Sequence, residues 1–301
     1  MPFPRFLAIS LLAAAGWSVA YLLPGWATGA AIRLPLPEGF WPEAGIVAGS
    51  IAAMVGLSIT SSMRRHRKAT VLIAGMSCLI LAGLFIGYPY LTALDQGVMT
   101  LIQEHRKPML DEVAVTFTLI GEFRNMLMFS ALLTVLLLLT RQWRQAIFAG
   151  STLLFTALAN TATKQFFARV RPEVLSDPLV SYSMPSGHAS GAFALFLTLA
   201  VLAGRGQPPR LRLTWLLLGC LPALSIALSR VYLGAHWPTD VVAGAMLAAC
   251  VCAASLWLIQ RKEPLNAMPP RVWWLVLPAL TILFGFFALR HLPHAMLRYA
   301  Y

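Results

Sequence analysis

The sequence predicts an all-α protein: a polytopic membrane helical bundle with about nine transmembrane helices. The chain of 301 residues is 58% hydrophobic and only 11% charged, and its mean hydropathy is +0.72. Its apolar runs are also long enough to cross the hydrocarbon core of a bilayer, about 30 Å, for which a helix needs about 20 residues. The length would permit two soluble domains, but this composition excludes them.

The predicted spans follow one another along most of the chain. For the first, the alternative is a removed signal peptide. Arg5 is the lone charge before that run, however, and no clean small-x-small cleavage site precedes Trp26. The spans lie near 6–23, 44–62, 70–90, 123–140, 145–163, 187–204, 213–231, 239–260 and 272–290.

The segment 91–122 has a different pattern from the spans around it. Its apolar residues recur at helical spacing among acids and amides, which predicts an amphipathic segment lying on the outer membrane surface. Two interpretations stay open: it gates the access of a lipid, or it is a cap packed on the bundle. The apolar positions are Leu94, Val98, Leu101, Ile102, Leu110, Val113 and Val115.

The net charge of +12 does not indicate a nucleic-acid partner, because the basic residues fall in alternate loops. Those loops share one face, which the positive-inside rule makes cytoplasmic together with the N-terminus. Of the 11 acids, all but Glu263 lie on the other face. The basic residues on this face are Arg5, Arg64, Arg65, Arg67, Lys68, Arg141, Arg144, Arg205, Arg210, Arg212, Arg261, Lys262 and Arg271.

The cysteines and histidines follow none of the common metal or disulfide patterns. All four cysteines lie inside apolar runs, no Cys-x-x-Cys occurs, and no histidine pair has the His-Glu-x-x-His spacing. We therefore expect small packing residues, no metal site and no cofactor. The cysteines are Cys78, Cys220, Cys250 and Cys252.

Three polar segments lie at the outer ends of predicted helices. The first runs from Lys164 to Pro172 (Lys-x6-Arg-Pro), the second is Pro-Ser-Gly-His at 185–188, and the third runs from Ser229 to Asp240 (Ser-Arg-x5-His-x3-Asp). The second opens a helix, whose N-terminus favours an anion. Together the segments supply Lys164, Arg171, Ser186, Gly187, His188, Arg230, His236 and Asp240.

These residue types predict phosphoryl transfer. Lys164, Arg171 and Arg230 provide the fixed charge that a phosphoryl transition state needs, and arginine can grip two oxygens at once. Ser186 and the amide of Gly187 add hydrogen bonds, and glycine lets the backbone approach closely.

The two histidines and the aspartate complete the expected chemistry. A neutral His236 would attack phosphorus and form a phosphohistidine. Asp240, four residues later, would fix its tautomer and orientation. His188 would protonate the leaving oxygen and later activate water.

The three motifs resemble the type-2 phosphatidic acid phosphatase superfamily, which comprises integral-membrane lipid phosphatases and soluble vanadium haloperoxidases. Every motif position is present, in order and at the right spacing, which makes coincidence negligible. The resemblance covers about residues 70–260, matches the roles above residue by residue and requires no metal. Arg169 stands at no family position, and we expect it to be an interface anchor.

The resemblance also implies a domain organisation. Residues 63–262 would form a six-helix phosphatase core that includes the outer segment 91–122, residues 1–62 would add membrane helices outside it, and 263–301 would add a last transmembrane helix. The stretch with Arg5-Phe6-Leu7, Gly16-Trp17 and Gly25 resembles the C-terminal helix of DedA-type proteins. Since such domains are sometimes fused ahead of this phosphatase type, a larger fusion architecture is one expectation.

We expect a lipid phosphate or diphosphate phosphatase in a bacterial inner membrane, acting on the periplasmic face. Undecaprenyl diphosphate is the first candidate substrate; phosphatidylglycerol phosphate, phosphatidic acid and lipid A phosphates are alternatives. A lipid phosphotransferase would use the same motifs. The apolar helices argue against a soluble haloperoxidase, and nearly charge-free helices argue against a transporter. The oligomeric state stays open.

Overall fold

A computed structural model of the chain describes residue 29 and residues 35–64, 68–175 and 179–298, with side chains as far as residue 288. The predicted first span at 6–23 lies outside these residues, as do Arg5, Asp177 and the expected DedA-like stretch.

All regular elements in the described residues are helical, which confirms the all-α prediction. A short 3-10 turn, Tyr88–Tyr90, separates the second and third α-helices. The α-helices are α1 Phe40–Met63, α2 Ala69–Gly87, α3 Thr92–Glu104, α4 Pro108–Ile120, α5 Phe123–Leu139, α6 Trp143–Phe167, α7 Gly187–Ala203, α8 Pro209–Tyr232, α9 Pro238–Ile259 and α10 Pro270–Arg298.

Six of the described helices are long and apolar enough to cross a membrane: α1, α2 with its 3-10 turn, α6, α8, α9 and the part of α10 up to Ala288. The pair α4–α5, bent by 50°, is a seventh if it is counted as one span. The predicted spans near 123–140 and 187–204 coincide with α5 and α7, which have 17 residues each. Such a helix is about 26 Å long, somewhat less than the hydrocarbon thickness.

The amphipathic segment 91–122 forms two helices, α3 and α4. Proline at the first position of α4 suits a helix start because its φ is already helical and its missing N–H has no partner there in any case. α3 packs against α1, α8 and α9, and α4 packs against α8 and α10. This packing agrees with the cap interpretation, whereas the gate interpretation stays a prediction.

Basic side chains bind the helix ends at the end of the bundle opposite the three motifs. Arg144 donates to the carbonyl oxygens of Ile259 (2.7 Å) and Glu263 (2.6 Å). Arg212 donates to the carbonyl of Ser62 at 3.1 Å. These bonds satisfy carbonyl groups that a helix C-terminus leaves without partners, and they hold the interhelical connections together.

Candidate active site

The three motifs meet at one end of the bundle. Lys164 lies in the last turn of α6, which continues to Phe167 instead of ending at 163 as predicted. Ser186 caps the N-terminus of α7, and its backbone N–H donates to the backbone oxygen of Asp240 at 2.9 Å. Arg230 lies in the last turn of α8, and Asp240 lies in the first turn of α9. The predicted site residues are thus brought together.

His236 lies in the connection between α8 and α9, and its side chain is only 1% exposed. Nη1 of Arg171 is 3.1 Å from its Nε2. Because a guanidinium only donates hydrogen bonds, this contact assigns the lone pair to Nε2 and the hydrogen to Nδ1. Nδ1 faces Oδ2 of Asp240 at 3.5 Å and Oγ of Ser183 at 3.4 Å. Nε2 therefore carries the lone pair that an attack would use, once the hydrogen bond from Arg171 is released.

Asp240 is fully buried, and donors surround its carboxylate. Its Oδ2 accepts from the backbone N–H of Trp237 at 2.9 Å and from the hydroxyl of Ser183. Its Oδ1 accepts from Nη1 of Arg169 at 2.7 Å. Ser183, two residues before the Pro-Ser-Gly-His motif, was missed by the sequence analysis because nothing in the motif pattern marks it.

The surroundings of His236 favour its neutral form. Burial lowers the pKa of His236 well below its ordinary value of 6.5, and the charges of Arg171, Arg230 and Lys164 lower it further. Both effects disfavour an imidazolium. The ring is consequently unprotonated at neutral pH, as a nucleophile must be.

His188, the second residue of α7, has a buried Nε2 atom that forms no hydrogen bond within the described part of the chain. Leaving such an atom without a partner costs about 1–3 kcal/mol. A buried ring nitrogen in this state is typical of a group that exchanges a proton with a ligand. Gly121 allows this close packing, since a Cβ atom there would lie 3.1 Å from Cδ2 of His188.

Backbone and hydroxyl oxygens position the three cationic side chains. Nζ of Lys164 donates to the carbonyl of Tyr182 at 2.5 Å. Nη1 of Arg171 donates to the carbonyl of Ala235 at 2.5 Å. Arg230 donates to Oγ1 of Thr118, on α4, at 3.0 Å. Each cation thus has a defined place beside the two histidines.

The expectation that Arg169 is an interface anchor is wrong. Its side chain is 9% exposed and lies between two carboxylates, with Nη2 2.6 Å from Oδ2 of Asp95 and Nη1 2.7 Å from Oδ1 of Asp240. A buried guanidinium needs such partners to offset its lost hydration. One signal in the sequence was available: Asp95 stands on the face of α3 that carries Leu94 and Met99, an apolar face.

The comparisons with known proteins agree with the three motifs. Residues 145–264 match the family described as the PAP2 superfamily. This PAP2-matched segment makes up about 40% of the chain. It contains every motif residue named above, whereas Asp95, Thr118 and Gly121 lie outside the matched residues.

Curated relatives of this PAP2 segment act on lipids. An undecaprenyl-diphosphatase of Sulfolobus acidocaldarius is 38% identical over 96 residues, 30% of this chain and 40% of that protein. Phosphatidylglycerophosphatase B of Bacillus subtilis is 34% identical over 93 residues, 29% and 44% of the two chains. A lipid A 1-phosphatase of Rhizobium johnstonii is 29% identical over 133 residues, 40% and 51%. The chain spans about half or less of the length of these relatives.

A solved structure shows the same fold. The crystal structure of the first transmembrane PAP2 type phosphatidylglycerolphosphate phosphatase from Bacillus subtilis superimposes with a TM-score of 0.56 and 23% sequence identity. The alignment covers 63% of this chain and 97% of that chain. The matched part of the bundle therefore has the fold of that structure.

Proposed function

We propose that this protein is a membrane lipid phosphatase that releases phosphate from a lipid phosphate or diphosphate through a phosphohistidine at His236. The observation that carries the proposal is the environment of that ring. Its Nε2 lies beside the cation Arg171, and its Nδ1 faces Asp240. His236 and Asp240 are both buried at one end of an apolar bundle.

The reaction would proceed in two steps. Nε2 of His236 attacks phosphorus while the bond from phosphorus to the leaving oxygen breaks, and His188 gives that oxygen a proton. A water molecule then attacks the phosphohistidine, the phosphorus–nitrogen bond breaks, and His188 takes the proton of the water. Asp240 keeps Nδ1–H oriented throughout and takes up no proton.

The cations supply the binding energy that matters for the rate. Lys164, Arg171 and Arg230 would contact the phosphoryl oxygens, whose charge is spread in the transition state. The N-terminus of α7 adds the Gly187 amide and the Ser186 hydroxyl at its positive end. Because the three side chains are cations, they would balance the negative charge of the phosphate, and the proposed reaction needs no metal or cofactor.

An apolar cavity next to the motifs supports a lipid substrate. Its volume is about 340 Å³, and it lies between α5, α6 and α7. Phe123, Leu153 and Ala157 are among the residues that line it, and Asn160 and Gly187 lie at the end that adjoins the site. A hydrocarbon chain in this cavity would leave its phosphate beside the Pro-Ser-Gly-His motif.

The names of the relatives support the substrate class. Undecaprenyl diphosphate is the first candidate, as the relative of that activity has the highest identity of the three described above. Phosphatidylglycerol phosphate, phosphatidic acid and lipid A phosphates are the alternatives. The phosphohistidine would also permit transfer to an acceptor lipid, which an assay with radiolabelled phosphate on the substrate would detect as a labelled lipid product.

We further propose that the protein lies in a bacterial inner membrane with its site on the periplasmic face. The support is the separation of charge: Arg144, Arg205 and Arg212 bind groups at the end opposite the motifs. The positive-inside rule would make that end cytoplasmic.

The test is phosphate release from a panel of these lipids by the detergent-purified protein. His105→Ala is a matched control, because His105 is an exposed histidine at the end of α3 whose Nδ1 lies 2.9 Å from the carbonyl oxygen of Leu101. We expect release by the wild type and by His105→Ala but not by His236→Ala. Release by His236→Ala at the wild-type rate, or no release from any lipid of the panel by the wild type, would overturn the proposal.

A further inference from the structure

A buried chain of charges lies behind the side of Asp240 that is turned away from His236. Oδ1 of Asp240 accepts from Arg169 at 2.7 Å, and Arg169 donates at 2.6 Å to Asp95. The three side chains are 0%, 9% and 2% exposed. Among the hydrogen bonds and ion pairs of the described residues, neither the Asp95 nor the Arg169 side chain bonds a motif residue proposed to bind phosphate, so their place in the site is indirect.

Asp95 also holds the first turn of α9, which carries Asp240. Its Oδ1 accepts from the backbone N–H of Thr239 at 3.0 Å, and its Oδ2 accepts from the hydroxyl of Thr239 at 2.7 Å. A carboxylate is favourable at a helix N-terminus, where N–H groups lack partners. Asp95 therefore links α3 to the helix that orients the nucleophile.

Two further contacts keep these residues in place. The guanidinium of Arg169 lies 4.9 Å from the ring centroid of Tyr88, within the range of a cation–π interaction. On the other side, Oε2 of Glu43, in α1, accepts from the N–H of Leu94 at 2.7 Å. Asp95 follows Leu94 directly in α3, so the hydrogen bond from Leu94 to Glu43 also fixes the backbone beside Asp95. Both α1 and α3 therefore help to hold Asp95 in place.

The charges decide what this arrangement does to the site. One guanidinium is shared between two carboxylates, so the group carries a net negative charge behind the imidazole. Without Asp95, Arg169 would neutralise Asp240 alone, and the developing imidazolium would lose electrostatic support. Without Arg169, two buried carboxylates would face each other with no cation between them.

We propose that Asp95 and Arg169 are positioning residues for the nucleophile: they hold Asp240 in place and set the charge behind His236. This inference rests on the proposed function, since it takes His236 as the attacking group. It assigns part of the catalytic apparatus to α3, which lies outside the PAP2 segment.

The test is the pH dependence of kcat for Asp95→Asn, Arg169→Gln and the double variant. The acid limb of this profile, where kcat falls at low pH, reports protonation of His236. The other titratable and charged groups around His236 are the same in all these variants; they are Lys164, Arg171, His188 and Arg230. Asp95→Asn removes a negative charge and should move the limb to lower pH. Arg169→Gln removes a positive charge and should move it to higher pH.

The double variant removes a neutral pair, so its limb should return close to that of the wild type. Its kcat should still be about tenfold lower, because Oδ1 of Asp240 has lost its donor. It keeps the net charge of the wild-type group, and Asp240 keeps the two donors to its Oδ2, Ser183 and the backbone N–H of Trp237, so it remains a valid test if a single variant does not fold. Wild-type kcat in the folded double variant would overturn the inference.

Asp111→Asn is the matched control. Asp111 is another poorly exposed acid in an ion pair, with Arg106 at 2.8 Å, and within the described ranges no hydrogen bond or ion pair joins it to Asp240. Its acid limb should not move. If the Asp95 and Arg169 single variants were less active but their acid limbs did not shift in opposite directions, the two residues would only cap α9. That result would also overturn the inference.

Trapping of labelled phosphate on the wild-type protein separates this inference from the proposed function. A protein that forms no acid-labile phosphohistidine dependent on His236 refutes the proposed function. A protein that forms it, but whose variants show no opposite shifts, refutes only the role of Asp95 and Arg169.

Discussion

Nη1 of Arg171 lies 3.1 Å from Nε2 of His236. The cation proposed to hold a phosphoryl oxygen is therefore in contact with the nitrogen proposed to attack phosphorus. Binding and attack would share one location, which places the reacting atoms close together before the reaction begins. The same contact assigns the hydrogen of the ring to Nδ1, on the side of Asp240.

His236→Ala should reduce turnover to background without unfolding the protein, because the residue would form a covalent bond to phosphorus. Asp240→Asn should lose about a hundredfold in kcat, since it disturbs orientation and charge but leaves the attacking atom. Phosphate release and thermal unfolding in detergent measure both effects. Near-native turnover by His236→Ala would refute the nucleophile assignment.

Ser183→Ala should lower kcat about tenfold and leave KM almost unchanged. The hydroxyl of Ser183 donates to Oδ2 of Asp240 and lies 3.4 Å from Nδ1 of His236, so its loss leaves a buried carboxylate with one donor fewer. Steady-state kinetics check this. Ser225→Ala is the control, because that hydroxyl donates to the carbonyl of Leu221 in its own helix, α8, at 3.1 Å. Equal kinetics for the two variants would contradict the prediction.

The acid limb of kcat should lie below pH 6.5. Burial and the neighbouring cations lower the pKa of His236, and the neutral ring is the reactive form, so activity is lost only as the pH falls through that lowered value. The measurement is phosphate release at saturating lipid in buffers of constant ionic strength. An acid limb well above 6.5 in the wild type would contradict the assigned environment.

Vanadate should inhibit the enzyme, and a chelator should not. A five-coordinate vanadate resembles the phosphoryl transition state and would bind among Lys164, Arg171 and Arg230. These cations already supply the charge for which other phosphatases use a metal. Phosphate release with vanadate or with chelator, each compared with buffer alone, checks this. Loss of activity in chelator with recovery on adding magnesium would require another mechanism.

A cysteine introduced at Val180 should react with a membrane-impermeant thiol reagent in intact cells. Val180 is exposed in the loop between the first two motifs, which the positive-inside rule places outside. A cysteine at Gln207, in the loop before α8, should react only after permeabilisation. The wild type with its native cysteines gives the background labelling. The reverse pattern would move the site to the cytoplasmic face.

The helices were predictable because hydropathy is a local property. The apolar runs located eight of the nine predicted spans on helices that the structure describes, since a run of about 20 apolar residues can lie in hydrocarbon only as a helix. The ends were less accurate: α6 extends past 163 to Phe167, and α5 and α7 are shorter than a full span. Helix ends depend on capping contacts that hydropathy does not register.

The sequence by itself determined the membrane class, the three motifs and the eight residues proposed for binding and catalysis, because their types and spacing along the chain carry that information. Only the tertiary structure decided which residues support them. Arg169 and Asp95 are 74 positions apart, and Thr239 and Asp95 are 144 apart. No local period encodes such contacts; they exist because helix packing buries these polar groups together, and buried charges are stable only when paired.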